Sequence, residues 1–447
     1  MSNRVGEQPD RPRVVVVGAG FAGLEAARGL EGLAREGAVE VVLVNPTDYF
    51  LYLPLLPEVT AGVLDPRRVA ISLRTACPSA RLVLGRVDRL DLDARRVHLV
   101  DPEGRPQDVC YDRLVLANGS TNKLLPIPGV AEHAHGYRSV AEALYLRDHL
   151  IRQIELAEVA GDPAEREARC TFVVVGAGYT GTEVAAAGQL FTRMLAGRFP
   201  TLREQPVRWL LVDLAPRVLP GLDRRLSSAA HRTLARRGVR IALGESVEEA
   251  THDGVRLTDG EFVPTRTLVW CVGVRPDPLV ERLGLATQQG RLTVDEYLHV
   301  PGHPECFACG DIAAVPDLTR PGELTGMTAQ HAVRQGAVAA HNVAASLTHG
   351  KQRAYRHRDL GFVVDLAGAK ATANPFGIPL SGIVAKAVTR GYHLLSLPAG
   401  RIRVASDWAL DAVLPRQAVE FGLIRSGAVP LESTPVGARR SAGSEPR

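Results

Sequence analysis

An α/β fold with a duplicated strand-turn-helix core and a distinct C-terminal region is predicted by three observations. A β-branched run, Val14 to Val17, enters Gly18, Gly20 and Gly23 at G-x-G-x-x-G spacing. A second such run, Phe172 to Val175, enters Gly176, Gly178 and Gly181 at the same spacing. Beyond residue 350 the pattern changes to short strands and amphipathic stretches, and the chain becomes basic. At 447 residues the chain exceeds one ordinary core. The fold class is therefore α/β: two Rossmann-like dinucleotide-binding domains plus a C-terminal α+β region with amphipathic stretches.

The first unit runs from Arg13 to Val44, with an apolar strand, a helical segment and the returning strand Val39 to Val44. In this motif Gly18 makes the tight turn, Gly20 lets the backbone approach a diphosphate, and Gly23 lets helix and strand pack closely. The diphosphate rests on free N–H groups at the positive end of the helix dipole. Asn45 to Pro57 is rich in proline and aromatic residues and reads as an ordered apolar loop. Strands follow at 81–87 and 96–100, with the turn Asp101-Pro-Glu-Gly104 after them. Arg113 to Ser120 is a buried strand that stops on Asn118-Gly119. Ser139 to Ala157 has a helical pattern, and the acidic stretch 158–168 marks a domain boundary. The second glycine motif then opens a second unit, whose returning strand 207–212 leads to Asp213. The strand within 266–275 stops on Gly273, as 114–119 stops on Gly119. A further strand reaches Gly310-Asp311, and a helix is expected over 328–345.

Composition removes several classes of function. The net charge of +4 is too slight to argue for nucleic acid. It is unevenly distributed, at +7 from Lys351 onward and −3 before it. Met1 to Pro12 lacks the apolar core of a secretory signal. No uncharged apolar run reaches the ~18 residues of a membrane-spanning helix. Six scattered cysteines argue for thiols in a reducing cytosol rather than a disulfide framework. Cys306-Phe-Ala-Cys309 is the only C-x-x-C; it lies on an apolar strand-like run with no partner pair, so no metal site is proposed.

The two glycine motifs, the strand ends at Ala117-Asn-Gly119 and Gly273, and the late Gly310-Asp311 resemble the two-dinucleotide-binding flavoprotein reductases. Three further segments are more specific: Trp270-Cys-Val-Gly-Val-Arg-Pro-Asp-Pro-Leu279, His303-Pro-Glu-Cys-Phe-Ala-Cys-Gly-Asp311 and Thr328-Ala-Gln-His-Ala-Val-Arg-Gln-Gly336. With these the chain resembles the type II NADH dehydrogenases, single-subunit NADH:quinone oxidoreductases, from about Arg13 to Ile424. The resemblance implies FAD on the first glycine loop and NADH on the second, with Ala329-Gln330 where flavin and quinone meet. A helix beginning at Thr328 can aim its dipole at the negative charge of a reduced flavin. Gly310-Asp311 would supply an N–H and a carboxylate near the flavin's ribityl chain or phosphate; the plainer reading makes Asp311 a helix N-cap.

Glu183 lies two residues past Gly181, where a carboxylate in the first turn would favour the helix dipole. The resemblance implies that it stands beside nicotinamide and flavin, with a part in hydride positioning or proton delivery. Asp213 would accept the adenosine ribose hydroxyls and repel a 2′-phosphate, favouring NADH, although Arg217 lies four residues on.

The chain departs from the resembled pattern at three places. Asn45 stands where an acidic ribose ligand is expected. Arg334-Gln335 replaces a Gln-Gln pair, which brings a positive charge to the quinone pocket. The stretches Gly382 to Leu397 and Trp408 to Ile424 are less aromatic than a strong membrane anchor, yet basic enough for an anionic membrane surface; a core or homodimer face fits them too.

The expected organisation is a disordered 1–12, an FAD-binding part at 13–165 and 286–350, an NADH-binding part at 166–285, a membrane-surface or dimer region at 351–429, and a disordered 430–447. The expected activity is hydride transfer from NADH to FAD and two-electron reduction of a quinone, menaquinone or ubiquinone, by a cytoplasmic enzyme peripheral on the inner face of the cell membrane. Gln330, Arg334 and Glu183 are the expected catalytic residues. A sulfide:quinone or disulfide reductase, and an NADH-sensing flavoprotein acting through a partner, are the competing readings.

Overall fold

The computed structural model describes residues 11–203 and 205–431. The segments 1–10 and 432–447, which hold most of the two expected disordered ends, lie outside the described residues. Leu431 is buried against the core of the second sheet, so the chain is still packed one residue past the expected start of the tail.

The first sheet has the strand order His299–Val300, His303–Ala308, Arg113–Leu116, Arg13–Val17, Glu40–Asn45, Arg81–Leu84. All neighbours pair in parallel except the edge hairpin 299–308. Val14, Val15 and Val16 are fully buried, as expected for a central parallel strand covered on both faces. Residues past 298 thus return to the sheet begun by residue 13. The second sheet is wholly parallel, with the order Ala134–His135, Thr267–Trp270, Thr171–Val175, Arg208–Asp213, Val239–Leu243. Trp209 fills its core: its ring stacks on Phe172, its indole N–H donates to Thr192 Oγ1 at 3.0 Å, and Gly188 provides the space, since a Cβ there would lie 2.2 Å from the ring.

An antiparallel ribbon, Ser120–Asn122 against Val274–Pro276, joins the chain segments that leave the two sheets. The helix Val140–Val159 opens with a Ser139/Glu142 capping box. The stretch expected as an acidic linker contains a helix, Pro163–Arg169, started by Asp162 as N-cap and proline in its first turn. The expected loop 45–57 likewise carries a short strand, Tyr49–Leu51, and leads into the helix Leu56–Thr60, whose proline sits in the first turn, where its missing N–H costs nothing.

The long helix Ala329–Thr348 packs along the first glycine-motif helix, Phe21–Gly29. Glycines set this closeness: a Cβ on Gly336 would sit 2.2 Å from the Ala22 carbonyl oxygen, and one on Gly29 would sit 2.5 Å from Ala340 Cβ. After it come a three-stranded sheet (Val363–Asp365, Ala371–Ala373, Leu380–Gly382) and the helices Ile383–Ser396 and Arg401–Val413. The second amphipathic stretch therefore begins earlier than the expected Trp408 and stops at Val413, because Pro415 forces Leu414 into extended backbone.

Candidate functional site

The two glycine loops have one geometry. Gly18 (φ +91°) donates to the Val44 carbonyl at 2.8 Å and Ala117 to that of Val17 at 2.8 Å; Gly176 (φ +105°) donates to Val212 at 2.8 Å and Cys271 to Val175 at 2.7 Å. A Cβ on Gly18 would lie 2.5 Å from the Ala117 oxygen, and one on Gly176 2.2 Å from the Cys271 oxygen. On Gly23 and Gly181 it would lie 1.8 Å from the oxygens of Gly18 and Gly176. On Gly20 and Gly178 it would meet nothing within 4 Å. Each of these last two is the N-cap of its helix, without a side-chain cap and without an acidic residue in the first turn. Open space over uncapped N–H groups is the cradle a diphosphate requires, and the residues present fit two dinucleotides.

The returning strands end on Asn45 and Asp213. Asn45 Oδ1 accepts from the Ala19 N–H at 2.9 Å, and its amide nitrogen donates to Thr47. Asp213 accepts from the Ala177 N–H and, at 2.7 Å, from that of Ala215. Each side chain thus braces its own glycine loop. Asn45 has its amide nitrogen engaged with Thr47 and only a carbonyl lone pair left, whereas Asp213 offers a carboxylate. Arg217 is turned away to the Pro220 carbonyl.

Gly119 (φ +75°) and Gly273 (φ +97°) end their strands with open space where a Cβ would stand. Asp311 is not a helix N-cap. It lies in a single 3₁₀ turn, Gly310–Ile312, where its Oδ2 accepts from the Ser120 hydroxyl at 2.6 Å, backed by Arg138 at 3.1 Å from that hydroxyl. Gly310 donates to Gln335 Oε1 at 2.7 Å, and Gln335 is held in turn by Thr325. Gln335 is therefore a brace between the long helix and the 310–311 turn.

Thr328 caps the long helix, accepting from His331 N–H at 3.3 Å, with no acidic residue in the first turn. Ala329 and Gln330 are its first residues. Gln330 Nε2 donates to the Gly361 carbonyl, while its Oε1 is buried with no hydrogen-bond partner. Arg334, one turn on, donates to the Arg358 carbonyl and to His357 Nδ1.

Glu183 is the fifth residue of the second glycine-motif helix, Tyr179–Ala196, past the first turn where the sequence expectation placed it. The dipole is therefore not what holds it. Its Oε1 accepts from the Asp365 N–H at 2.9 Å. Desolvation raises its pKa well above the ordinary carboxylate range; the Asp365 N–H opposes this and the Asp365 charge adds to it. Asp365 pairs with the buried Lys386, whose ammonium also lies 3.6 Å from Glu58; Glu58 in turn accepts from the Trp408 indole. Burial and Asp365 push Glu58 upward as well, with Lys386 and Trp408 opposing. Sequence reasoning missed Glu58, Asp365 and Lys386. Lys386 did not stand out, because the amphipathic stretch 382–397 also carries Arg390 and His393.

The structure thus brings Gln330, Arg334 and Glu183 to the two sides of one segment, residues 357–365. Cys306, on a strand of the first sheet, and Cys309, just past that strand's end, are fully buried, with burial pushing both thiols up to about 12. Buried thiols of that kind are poor redox nucleophiles.

The sequence profile of the pyridine nucleotide-disulphide oxidoreductases matches residues 12–336. The type II NADH:quinone oxidoreductase NdhA of Mycobacterium tuberculosis is 32% identical over 415 residues, covering 89% of this chain and 86% of the relative. The type II NADH:quinone oxidoreductase Ndh of the same organism is 30% identical, covering 92% and 90%. The solved structure of NDH2 from Plasmodium falciparum in complex with NADH superimposes with a TM-score of 0.84 over 92% of this chain and all of that one, at 16% identity.

Proposed function

The chain belongs to the pyridine nucleotide-disulphide oxidoreductases and, within them, to the type II NADH:quinone oxidoreductases, and from that membership we propose how its residues divide the work. The enzyme is an FAD-dependent NADH:quinone oxidoreductase. Bound FAD supplies the chemistry that accepts a hydride and hands on two electrons. The protein supplies binding, orientation, exclusion of water and charge.

The observation that carries this reading is the duplicated glycine cradle. Gly18, Gly20 and Gly23, with Asn45, Ala117, Gly119, Gly310 and Asp311, would hold FAD. Gly176, Gly178 and Gly181, with Asp213 and Gly273, would hold NADH. The FAD-binding part is then 13–165 with 286–350, and the NADH-binding part is 166–285. Asp213 favours NADH because its carboxylate accepts ribose hydroxyls and repels a 2′-phosphate. Ala329 and the positive end of the long helix, whose first turn carries no acidic residue, would face the negative charge of reduced flavin. Gln330 and Arg334 flank the acceptor, and Glu183, whose pKa is held by burial well above the ordinary carboxylate range, can hold the proton that quinone reduction consumes.

No helix among the described residues is long and apolar enough to cross a membrane. Ile383, Leu395, Ile402 and Val413 are each at least 70% exposed on the two C-terminal helices, beside the exposed Arg401 and Arg403. This pattern supports 351–429 as the part that lies on an anionic membrane surface, at its inner face, where a menaquinone or ubiquinone is available; a homodimer contact is the other use of the same face. The test is NADH oxidation by the purified yellow protein with a soluble quinone. Absence of flavin absorbance, or of quinone-dependent turnover, overturns the reading.

A further inference from the structure

Residues 355–362 cross the N-terminal end of the long helix and reach the start of the second glycine-motif helix. On one side Gly361 accepts from Gln330; on the other the Phe362 ring stands edge-on to Tyr179, with centroids 6.1 Å apart. Gln330 Oε1 is buried and without a hydrogen-bond partner. Arg334 lies four residues further along the helix, on the same face. Its Nη1 donates to the Arg358 carbonyl and, at 3.3 Å, to His357 Nδ1. The His357 ring stacks on His331 with centroids 4.0 Å apart, and the Tyr355 hydroxyl lies 2.8 Å from His331 Nδ1 and 3.4 Å from His357 Nδ1.

Arginine only donates, so His357 Nδ1 must be unprotonated to receive it. The groups that face His357 agree with a neutral ring. Burial and the Arg334 charge lower its pKa, with Arg320 adding to this and Asp359 and Asp317 opposing; His331 and Tyr355 complete its surroundings. One nitrogen of the guanidinium is thereby fixed.

We propose that His357 is a positioning residue that holds the Arg334 guanidinium on the helix face it shares with Gln330, and that this guanidinium makes the acceptor site bind a quinone carrying an ionised ring oxygen more tightly than its neutral counterpart. The inference rests on the quinone-reductase reading of the same site. An ionised hydroxyl beside a ring carbonyl presents two oxygens on one edge, which matches the planar fork of an arginine. A neutral alkylated quinone forms no ion pair there, so it is held less tightly than the anion.

The experiment compares 2-hydroxy-1,4-naphthoquinone, ionised at neutral pH, with 1,4-naphthoquinone on the holoenzyme and on Arg334→Gln, His357→Phe and His357→Asn. Flavin content reports folding. The readouts are the ratio of kcat/KM for the two quinones and the Kd of the hydroxylated quinone for the oxidised enzyme, followed by perturbation of the flavin absorbance. In Arg334→Gln and His357→Phe the ratio should fall about tenfold, through KM and Kd rather than kcat, and His357→Asn, which keeps an acceptor, should recover most of it. An unchanged ratio and Kd in folded Arg334→Gln overturn the proposal. Failure of the quinone-reductase reading looks different: the unaltered enzyme then reduces neither quinone, and the Kd comparison alone decides whether Arg334 selects the anion.

Discussion

Glu183 Oε1 accepts the backbone N–H of Asp365 at 2.9 Å, which ties the helix of the second glycine loop to the first strand of the C-terminal sheet. Through Asp365 the contact continues to Lys386, Glu58 and Trp408, so one buried polar group touches both nucleotide-binding parts and both C-terminal helices.

Glu183→Gln keeps the hydrogen bond to Asp365 and loses the transferable proton. Flavin reduction by NADH should then change little, while reoxidation by quinone falls by about 100-fold, the size of a general-acid contribution. Stopped-flow measurement of the two half-reactions separates them. Equal loss in both would reduce Glu183 to a structural role.

Lys386 is the only cation between Asp365 and Glu58 that forms ion pairs with both, among the described residues. Lys386→Met leaves those carboxyl groups buried without it and should lower stability by about 3–5 kcal/mol. Chemical denaturation followed by tryptophan fluorescence reads this, since Trp408 lies in the same cluster. A loss below 1 kcal/mol, within the range of an ordinary exposed pair, would mean that Glu58 simply takes up a proton in its place.

Gly20→Ala and Gly178→Ala fill open space over the two helix N-termini without a protein clash. Both variants should fold. The first should be purified with little FAD; the second should keep its FAD and bind NADH about tenfold more weakly, the cost of a lost hydrogen-bonding contact. Gly23→Ala, whose Cβ would lie 1.8 Å from the Gly18 oxygen, should fail to fold. Flavin absorbance per mole of protein distinguishes the three.

Burial lowers the pKa of five histidines: His135, His331 and His393 to about 4, His149 to about 3, and His357 below its ordinary value. They are neutral in the fold and take up protons on unfolding. Their contribution is complete above the ordinary histidine value of about 6.5 and is lost as pH falls toward 4. Glu58 and Glu183, whose pKa values are raised, act in the opposite sense, favouring the folded state as pH falls toward the ordinary carboxylate value. The five lowered histidines outnumber the three raised carboxyls, Glu58, Glu183 and Asp277, so stability should fall between pH 6.5 and 4.5 by up to about 1.4 kcal/mol per pH unit for each excess proton. A thermal midpoint constant across that window would contradict the balance.

The sequence displays those parts of the site that backbone geometry dictates. Gly18 and Gly176 need positive φ, and Gly23 and Gly181 admit no Cβ, so no other residue type could stand there and the spacing is visible in one dimension. Asp213 was legible for the same reason, as the residue that ends the returning strand. Glu58 and Lys386 were not, because they meet across more than 300 residues and neither sits in a local pattern. The helix at 401–413 was misplaced because an amphipathic pattern continues past Pro415, whereas the backbone before a proline does not stay helical. Asp311 reads as a ligand, with an N-cap as the plainer alternative, and the structure shows that no long helix starts there.

The central claim, that one chain moves two electrons from NADH through a bound flavin to a quinone, is tested most directly by an anaerobic titration. The oxidised holoenzyme is reduced with one equivalent of NADH and then given one equivalent of a ubiquinone or menaquinone analogue. The flavin absorbance should bleach on the first addition and return fully on the second, with one quinol formed per NADH consumed. A flavin that bleaches with NADH and stays reduced in the presence of either quinone would contradict the account.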